Sequence, residues 1–164
     1  MLYYAYGSNL NQEQMLLRCP NATPIKRIKL HDYKLVFRGV ADIQESTGSY
    51  VDGALWNITD ECEIELDRYE GVDSGLYSKL YFDYKDDEVL VYKMNDRSIM
   101  PPGDYYVHII KQGYVDFGIP FDSLDNAINE SWKYKKPSKY LKRRRSYETF
   151  KGIKRARRVN IADE

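Results

Sequence analysis

Apolar and polar positions along the chain change their period several times, and each change marks an element. Residues 2–6, Leu-Tyr-Tyr-Ala-Tyr, are a short aromatic-rich run that predicts a buried strand. The run meets the turn formers Gly7, Ser8 and Asn9. Asn11 then reads as a helix N-cap, with Gln14 three residues on in capping-box spacing. Met15, Leu16 and Leu17 offer an apolar face, and Pro20 limits the length. The chain thus opens as strand, glycine-containing loop and helix N-terminus.

Alternation returns over residues 25–40, through Ile28, Leu30, Tyr33, Leu35 and Phe37. It predicts one long strand, or two strands broken near His31 and Asp32. Residues 50–58 read as a further strand with Gly53 as a bulge candidate. Thr59 or Asp60 can cap a helix over 61–69 with Ile64 and Leu66 inward, ending at Tyr69-Glu70-Gly71. Residues 76–84 and 88–94 form a hairpin around the polar turn Lys85-Asp86-Asp87. After Pro101-Pro102-Gly103, Asp104 caps a predicted helix over 105–112. After Gly118-Ile119-Pro120, a last helix runs from Asp122 to about Tyr134, with Leu124, Ile128 and Trp132 on one face. Strands and helices mix without regular βαβ alternation and without an internal repeat. That predicts an α+β domain in which a small mixed or antiparallel sheet curls into a barrel-like shape with flanking helices.

A length of 164 residues suits one domain. A chain of this size buries about 70% of its unfolded surface, enough for a core with a cleft in it. No apolar run approaches the roughly 18 residues that span a bilayer, so no membrane contact is expected. The first residues lack the basic and apolar regions of a signal peptide, which points to the cytoplasm. Two cysteines (Cys19, Cys62) and two histidines (His31, His108) do not make a disulfide framework or a zinc-ligand pattern, and neither metal nor cofactor is expected. The net charge of zero conceals a split: residues 1–132 carry −10 and residues 133–158 carry +12. The expected division is therefore a folded unit over 1–132 and a basic, partly helical extension over 133–164.

Two local features bear on chemistry. A glycine turn between a strand and a helix N-terminus can point backbone N–H groups into a concavity suited to a carboxylate or phosphate. With only Gly7 present, an ordinary strand-to-helix turn fits the same residues. Glu70 sits where a helix ends and Gly71 follows, a position whose dipole disfavours a negative charge. Burial there would raise its pKa toward general-base values. A solvated glutamate in the acidic stretch with Glu61, Glu63, Glu65 and Asp67 is the plainer alternative.

Taken together, these features resemble the gamma-glutamylcyclotransferase family, including its AIG2-like branch. The resemblance rests on Tyr6-Gly7-Ser8-Asn9-Leu10 directly after a first strand, and on Tyr69-Glu70-Gly71 with Gly75-Leu76-Tyr77. Val91-Tyr92-Lys93-Met94, Pro101-Pro102-Gly103-Asp104-Tyr105-Tyr106 and Gly118-Ile119-Pro120 follow in the family's order, and the likeness covers about residues 1–132. It implies a small mixed-sheet barrel with a cleft over the Gly-Ser-Asn loop and Glu70 as general acid/base. Tyr6, Gly7, Ser8, Asn9 and Leu10 would grip a glutamyl moiety, with Tyr3 alongside and Tyr77 and Tyr92 in the cleft. Tyr105 and Tyr106 both stand near a further substrate-contacting tyrosine of the family, which leaves open which of them faces the cleft. The implied reaction is release of 5-oxoproline from a γ-glutamyl amine or peptide, a small-molecule substrate, through attack of its own α-amino group on the γ-carbonyl. The nucleophile is intramolecular, so neither metal nor enzyme nucleophile is required.

The basic extension lies outside the resemblance. Lys142-Arg143-Arg144-Arg145 and Lys154-Arg155-Ala156-Arg157-Arg158, interleaved with Tyr134, Tyr140, Tyr147 and Phe150, have the charge and aromatics that nucleic acid binding uses. Folding back on the acidic body, self-association, an acidic protein partner or no specific partner fit the same composition, and Pro137-Ser138 can cap a short helix there. A second functional reading follows: a catalytically silent binding module that uses the cleft and this extension to hold nucleic acid or an acidic protein.

Overall fold

The computed structural model describes residues 1–95 and 98–134 and the backbone of residues 161–162. The expectations about the basic extension, its helix included, fall outside the described residues. β1 (Leu2–Ala5) lies inside a mixed sheet. It pairs antiparallel with β3 (Ala41–Asn57), Tyr3 opposite Trp56, and parallel with β5 (Asp87–Met94), Tyr3 opposite Leu90. β2 (Thr23–Phe37) pairs with β3, and β4 (Tyr77–Tyr84) forms a hairpin with β5. The order is β4-β5-β1-β3-β2-β6, where β6 is the two-residue strand Ile161–Ala162. The sheet curls strongly. Tyr33 of β2 and Phe82 of β4, well apart in that order, meet edge to face with ring centroids 5.5 Å apart. This mixed, curled sheet with flanking helices is the α+β architecture expected.

Local differences from the sequence pattern have physical reasons. β2 runs on past His31 and Asp32, but its register with β3 jumps there: His31 faces Tyr50 and Tyr33 faces Glu45. Residues 46–49 bulge out opposite Asp32, whose carboxylate accepts the Gly48 N–H at 2.9 Å. β3 therefore begins at Ala41, nine residues before the expected strand. Gly53 is no bulge, since it pairs with Ile28 in register.

The helices bury narrower faces than expected. α1 (Gln12–Arg18) is capped as read, with the Gln14 N–H donating to the Asn11 side chain at 2.9 Å. It buries only Met15, while Leu16 and Leu17 face outward. α2 (Asp60–Glu70), capped by Thr59, buries Cys62 and Leu66 and leaves Ile64 exposed. Ile64 and Leu66 are two residues apart and so cannot share a helix face, whereas Cys62, Leu66 and Glu70 at i, i+4 and i+8 do. The last helix, α4 (Asp122–Trp132), buries Leu124, Ala127 and Ser131 and half-buries Ile128, while Trp132 lies partly exposed at its end.

The helix before it, α3 (Asp104–Asp116), starts after a Gly103 cap, with Asp104 as its first residue, and runs through Gly113. Gly113 serves a close approach. A Cβ there would stand 2.5 Å from both the Asn11 amide nitrogen and the Leu10 carbonyl carbon. α3 thus presses backbone against backbone on the turn that follows β1. Gly113→Ala is expected to destabilise the fold by about 1–3 kcal/mol, the range for overpacking a tight contact, read as a lower urea midpoint at unchanged m.

Candidate functional site

The strand-to-helix segment at the start of the chain is built more tightly than its sequence suggests. A short 3-10 turn, Ser8–Leu10, sits between β1 and α1. The Leu10 and Asn11 amides bond back to the carbonyls of Gly7 and Ser8 at 3.0 and 3.1 Å. The Gln12 amide donates to the Asp116 carboxylate at 2.9 Å, and the Gln14 amide to Asn11. Two of the first three amides of α1 are therefore taken by side chains of the protein, one of them the Asp116 carboxylate. The amides of Ser8 and Asn9, at the head of the turn, make no protein hydrogen bond among the described residues.

Beside this turn is a hollow of about 290 Å³, including the open solvent at its mouth. Gly7, Ser8 and Asn9 form one wall. Glu70 enters from the end of α2, Ala41 from the head of β3, and Tyr3, Tyr6, Tyr77, Tyr92 and Tyr106 come from β1, its end, β4, β5 and α3. Two residues of the expected set do not line it. Leu10 is fully buried in the core, turned there by the 3-10 turn. Tyr105 is 76% exposed, because neighbouring residues of a helix point about 100° apart and Tyr106 takes the inward direction.

Glu70 reaches the hollow because α2 stops there. Gly71 takes the left-handed conformation at φ 66°, and its N–H and that of Val72 bond back to the Arg68 and Asp67 carbonyls. The Glu70 carboxylate accepts one hydrogen bond, from Nδ2 of Asn9 to Oε1 at 3.0 Å; Oε2 accepts none among the described residues. Burial pushes the Glu70 pKa up from 4.5 to about 7, against a downward pull from the Arg18 charge and the Asn9 donor. The same Asn9 Nδ2 donates to the Tyr3 hydroxyl at 2.9 Å.

The tyrosine hydroxyls divide into two kinds. Tyr6 donates to the Tyr92 carbonyl at 2.6 Å, Tyr77 to the Ala41 carbonyl at 2.7 Å, and Tyr92 to the Asp67 carboxylate at 2.7 Å. Their protons are committed, so toward the hollow they can only accept. Tyr3 accepts from Asn9, which leaves its own proton to donate, and Tyr106 accepts the Ala41 N–H at 3.0 Å and also pairs with the Ser8 side chain. Burial raises all five pKa values, so the hydroxyls stay protonated near neutral pH.

Three residues at or near the site were not assigned to it from the sequence, although Tyr69 stood in the motif before Glu70. Ala41 belongs to a strand that begins earlier than its pattern suggests. Arg18 lies three residues from Met15, on the same side of α1, a spacing that could have drawn attention to it. Tyr69 lies at the edge, its hydroxyl 3.2 Å from Oγ of Ser8. Among the described residues no group of three or more His, Cys, Asp or Glu side chains is placed to hold a metal, and no helix is long and apolar enough to cross a membrane.

The raised Glu70 pKa has a consequence for stability. Between pH 4.5 and 7 the folded chain keeps a proton that the unfolded chain has lost. Stability therefore falls as pH rises through that window, by up to about 3 kcal/mol, with the loss complete above it. Glu70→Gln should remove this slope. Urea unfolding at pH 5 and pH 8 is expected to show the variant gaining on the parent at the higher pH.

Comparison with known proteins agrees with the geometry. A family model described as "Gamma-glutamyl cyclotransferase, AIG2-like" matches residues 3–107. The chain is 33% identical over 138 residues to the Gamma-glutamylcyclotransferase of Bos taurus and, likewise, to that of Homo sapiens; each match covers 74% of this chain and 73% of the relative. A solved structure titled "Gamma-glutamyl cyclotransferase" superposes with a TM-score of 0.68 at 31% identity, covering 87% of this chain and 92% of that one. The chain belongs to the gamma-glutamyl cyclotransferase, AIG2-like family.

Proposed function

We propose that this member of the family, an enzyme of its cyclotransferase type, releases 5-oxoproline from a γ-glutamyl amine or peptide, with Glu70 as the single general acid/base. The observation that carries this reading is the Glu70 carboxyl: desolvated, with a pKa of about 7, held by Asn9 and facing the Ser8–Asn9 turn across a hollow walled by tyrosines.

The steps follow from that carboxylate. Oε2 of Glu70, unoccupied by protein donors among the described residues, takes a proton from the substrate's α-ammonium. The freed amine attacks the γ-carbonyl carbon and closes a five-membered ring. The bond from that carbon to the leaving nitrogen breaks as the proton on Glu70 passes to the departing amine, and the ring nitrogen gives its second proton to the regenerated carboxylate, which hands it to the released amine. No water is consumed, and the products are 5-oxoproline and a free amine. A pKa near the working pH lets one group act first as base and then as acid. Holding the two ends of one molecule in ring-closing geometry supplies the effective concentration that a bimolecular attack lacks.

The lining suits a zwitterion. The Tyr3 hydroxyl proton and the Ser8 and Asn9 amides are donors for the α-carboxylate and for the oxyanion that develops at the γ-carbon. Glu70 and the hydroxyl oxygens of Tyr6, Tyr77 and Tyr92 are acceptors for the ammonium. In this reading the glutamyl half sits against the turn and Glu70, and the departing amine lies at the open mouth.

A panel of γ-glutamyl peptides, amines and isopeptides, read by mass spectrometry for 5-oxoproline, tests the reaction. At least one compound is expected to yield it. Glu70→Gln should lower kcat/KM by about 10²–10⁴-fold, and the parent's acid limb should fall near pH 7. Full activity in the Gln variant would remove Glu70 from the mechanism.

A further inference from the structure

Arg18 has no part in the steps above, yet its contacts converge on the surroundings of the carboxylate. Its Nη1 donates to Oδ1 of Asn9 at 3.0 Å and its Nη2 to Oε1 of Gln14 at 3.0 Å. The guanidinium carbon lies 3.8 Å from the centre of the Tyr69 ring. Two forked donors and a stacked face hold the planar group in one place, half-buried between α1 and the end of α2.

A side-chain amide has one accepting end and one donating end. With Oδ1 of Asn9 turned to Arg18, Nδ2 must face the hollow, where it meets Glu70 Oε1 and the Tyr3 hydroxyl. We propose that Arg18 is a positioning residue for the cyclisation: it locks the Asn9 amide in the orientation that binds Oε1 of Glu70 and leaves Oε2 for proton transfer. This rests on the cyclotransferase reading of the site for its consequence, though not for its geometry.

The alternative orientation shows what Arg18 prevents. A flipped Asn9 would set its carbonyl oxygen against the Glu70 carboxylate, lone pair to lone pair. That arrangement becomes favourable only when Glu70 is protonated and its O–H can donate to Oδ1. Loss of Arg18 therefore drives Glu70 toward the acid by two routes, removal of a nearby positive charge and release of the fixed donor. The other groups around the carboxyl are not cations that could substitute. Tyr3 and Tyr6 from the β1 side, Tyr77 from β4, Tyr92 from β5 and Tyr106 from α3 are neutral phenols. Asp67, on α2 itself, is tied to Lys79 and to Tyr92. Asp42, from β3, is tied to Arg38 and to the Met94 amide.

The test uses Arg18→Met and Arg18→Lys, each alone and combined with Asn9→Ala. Two readouts are taken: the ¹³C titration of the Glu70 carboxyl in the unliganded protein, identified by its loss in Glu70→Gln, and the pH profile of kcat/KM. Arg18→Met should move the titration midpoint and the acid limb upward together by about one pH unit. At neutral pH kcat should fall about tenfold, with KM changed less. Arg18→Lys, which keeps the charge and one donor, should recover part of both shifts and carries the test if the Met variant does not fold. In the Asn9→Ala background the same Arg18 substitutions should have a smaller effect, because the part carried by the amide is gone and only the direct loss of charge remains.

An unmoved midpoint in the single variants, or equal shifts in both backgrounds, would overturn the proposal. If no γ-glutamyl compound is turned over while the titration moves as expected, the cyclotransferase reading falls and the positioning of Asn9 stands. Normal turnover with an unmoved titration does the reverse: the positioning role falls and the cyclotransferase reading stands.

Discussion

The site is organised around a carboxyl group that the fold takes out of water with a single protein donor. Cys62 and Leu66 anchor α2 in the core, and Glu70 lies on the same stripe. Gly71 then ends the helix in a conformation that other residues rarely adopt. The carboxylate is thus fixed at the negative end of a helix, half-buried and facing aromatic walls. Each of these conditions disfavours its charge. Only Asn9 and the field of Arg18 act the other way, and the balance leaves the proton affinity near neutrality.

The tyrosines solve the companion problem of keeping such a group desolvated while still offering polar contacts. A phenol wall displaces water as an apolar wall would, yet each ring carries a hydroxyl with a defined direction. Those directions are set by backbone and carboxylate acceptors of the protein itself: the carbonyls of Tyr92 and Ala41, and Asp67 held by Lys79. Because Ala41 accepts from Tyr77 and donates to Tyr106, one residue at the head of β3 fixes two of the five hydroxyls in opposite senses. The hollow is consequently divided into donors and acceptors before any ligand enters it.

How much of this can be read from the chain depends on the kind of constraint involved. β1, the Asn11 cap and the end of α2 at Gly71 are local, since each follows from residues within one turn of it, and each is legible. Glu70 can be singled out as a carboxylate at a helix end, while its meeting with Asn9 depends on how α2 docks against the β1 turn. Helix faces are misread where adjacent apolar residues compete, at Leu16, Leu17 and Ile64, because the sheet decides which of them it covers. Gly113 has the look of a helix end. Its requirement comes from Leu10 and Asn11, about a hundred positions away in sequence. The partners of Arg18 are hidden for the same reason: Asn9 precedes it by nine residues and Tyr69 follows by 51.

The opening turn shows why a motif can be correct in outline and different in mechanism. A glycine turn ahead of a helix suggests anion capture by free backbone amides and the helix dipole. Here the amides of Leu10, Asn11, Gln12 and Gln14 are all taken, partly by the carboxylate of Asp116, which already occupies the dipole's favoured position for negative charge. The two amides at the head of the turn and the side chains it places are what remain to face the hollow. A phosphate dianion would meet few free donors, no uncommitted cation from Arg18, and the Glu70 carboxyl in the same small space. Under the proposed reaction, an amino-acid head, with one charge of each sign, would meet donors on one side and acceptors on the other. The turn's contribution is therefore geometric. By burying Leu10 against α3 and directing Asn9 across the hollow, it converts a sequence that reads as an anion loop into the support for the Glu70 carboxyl.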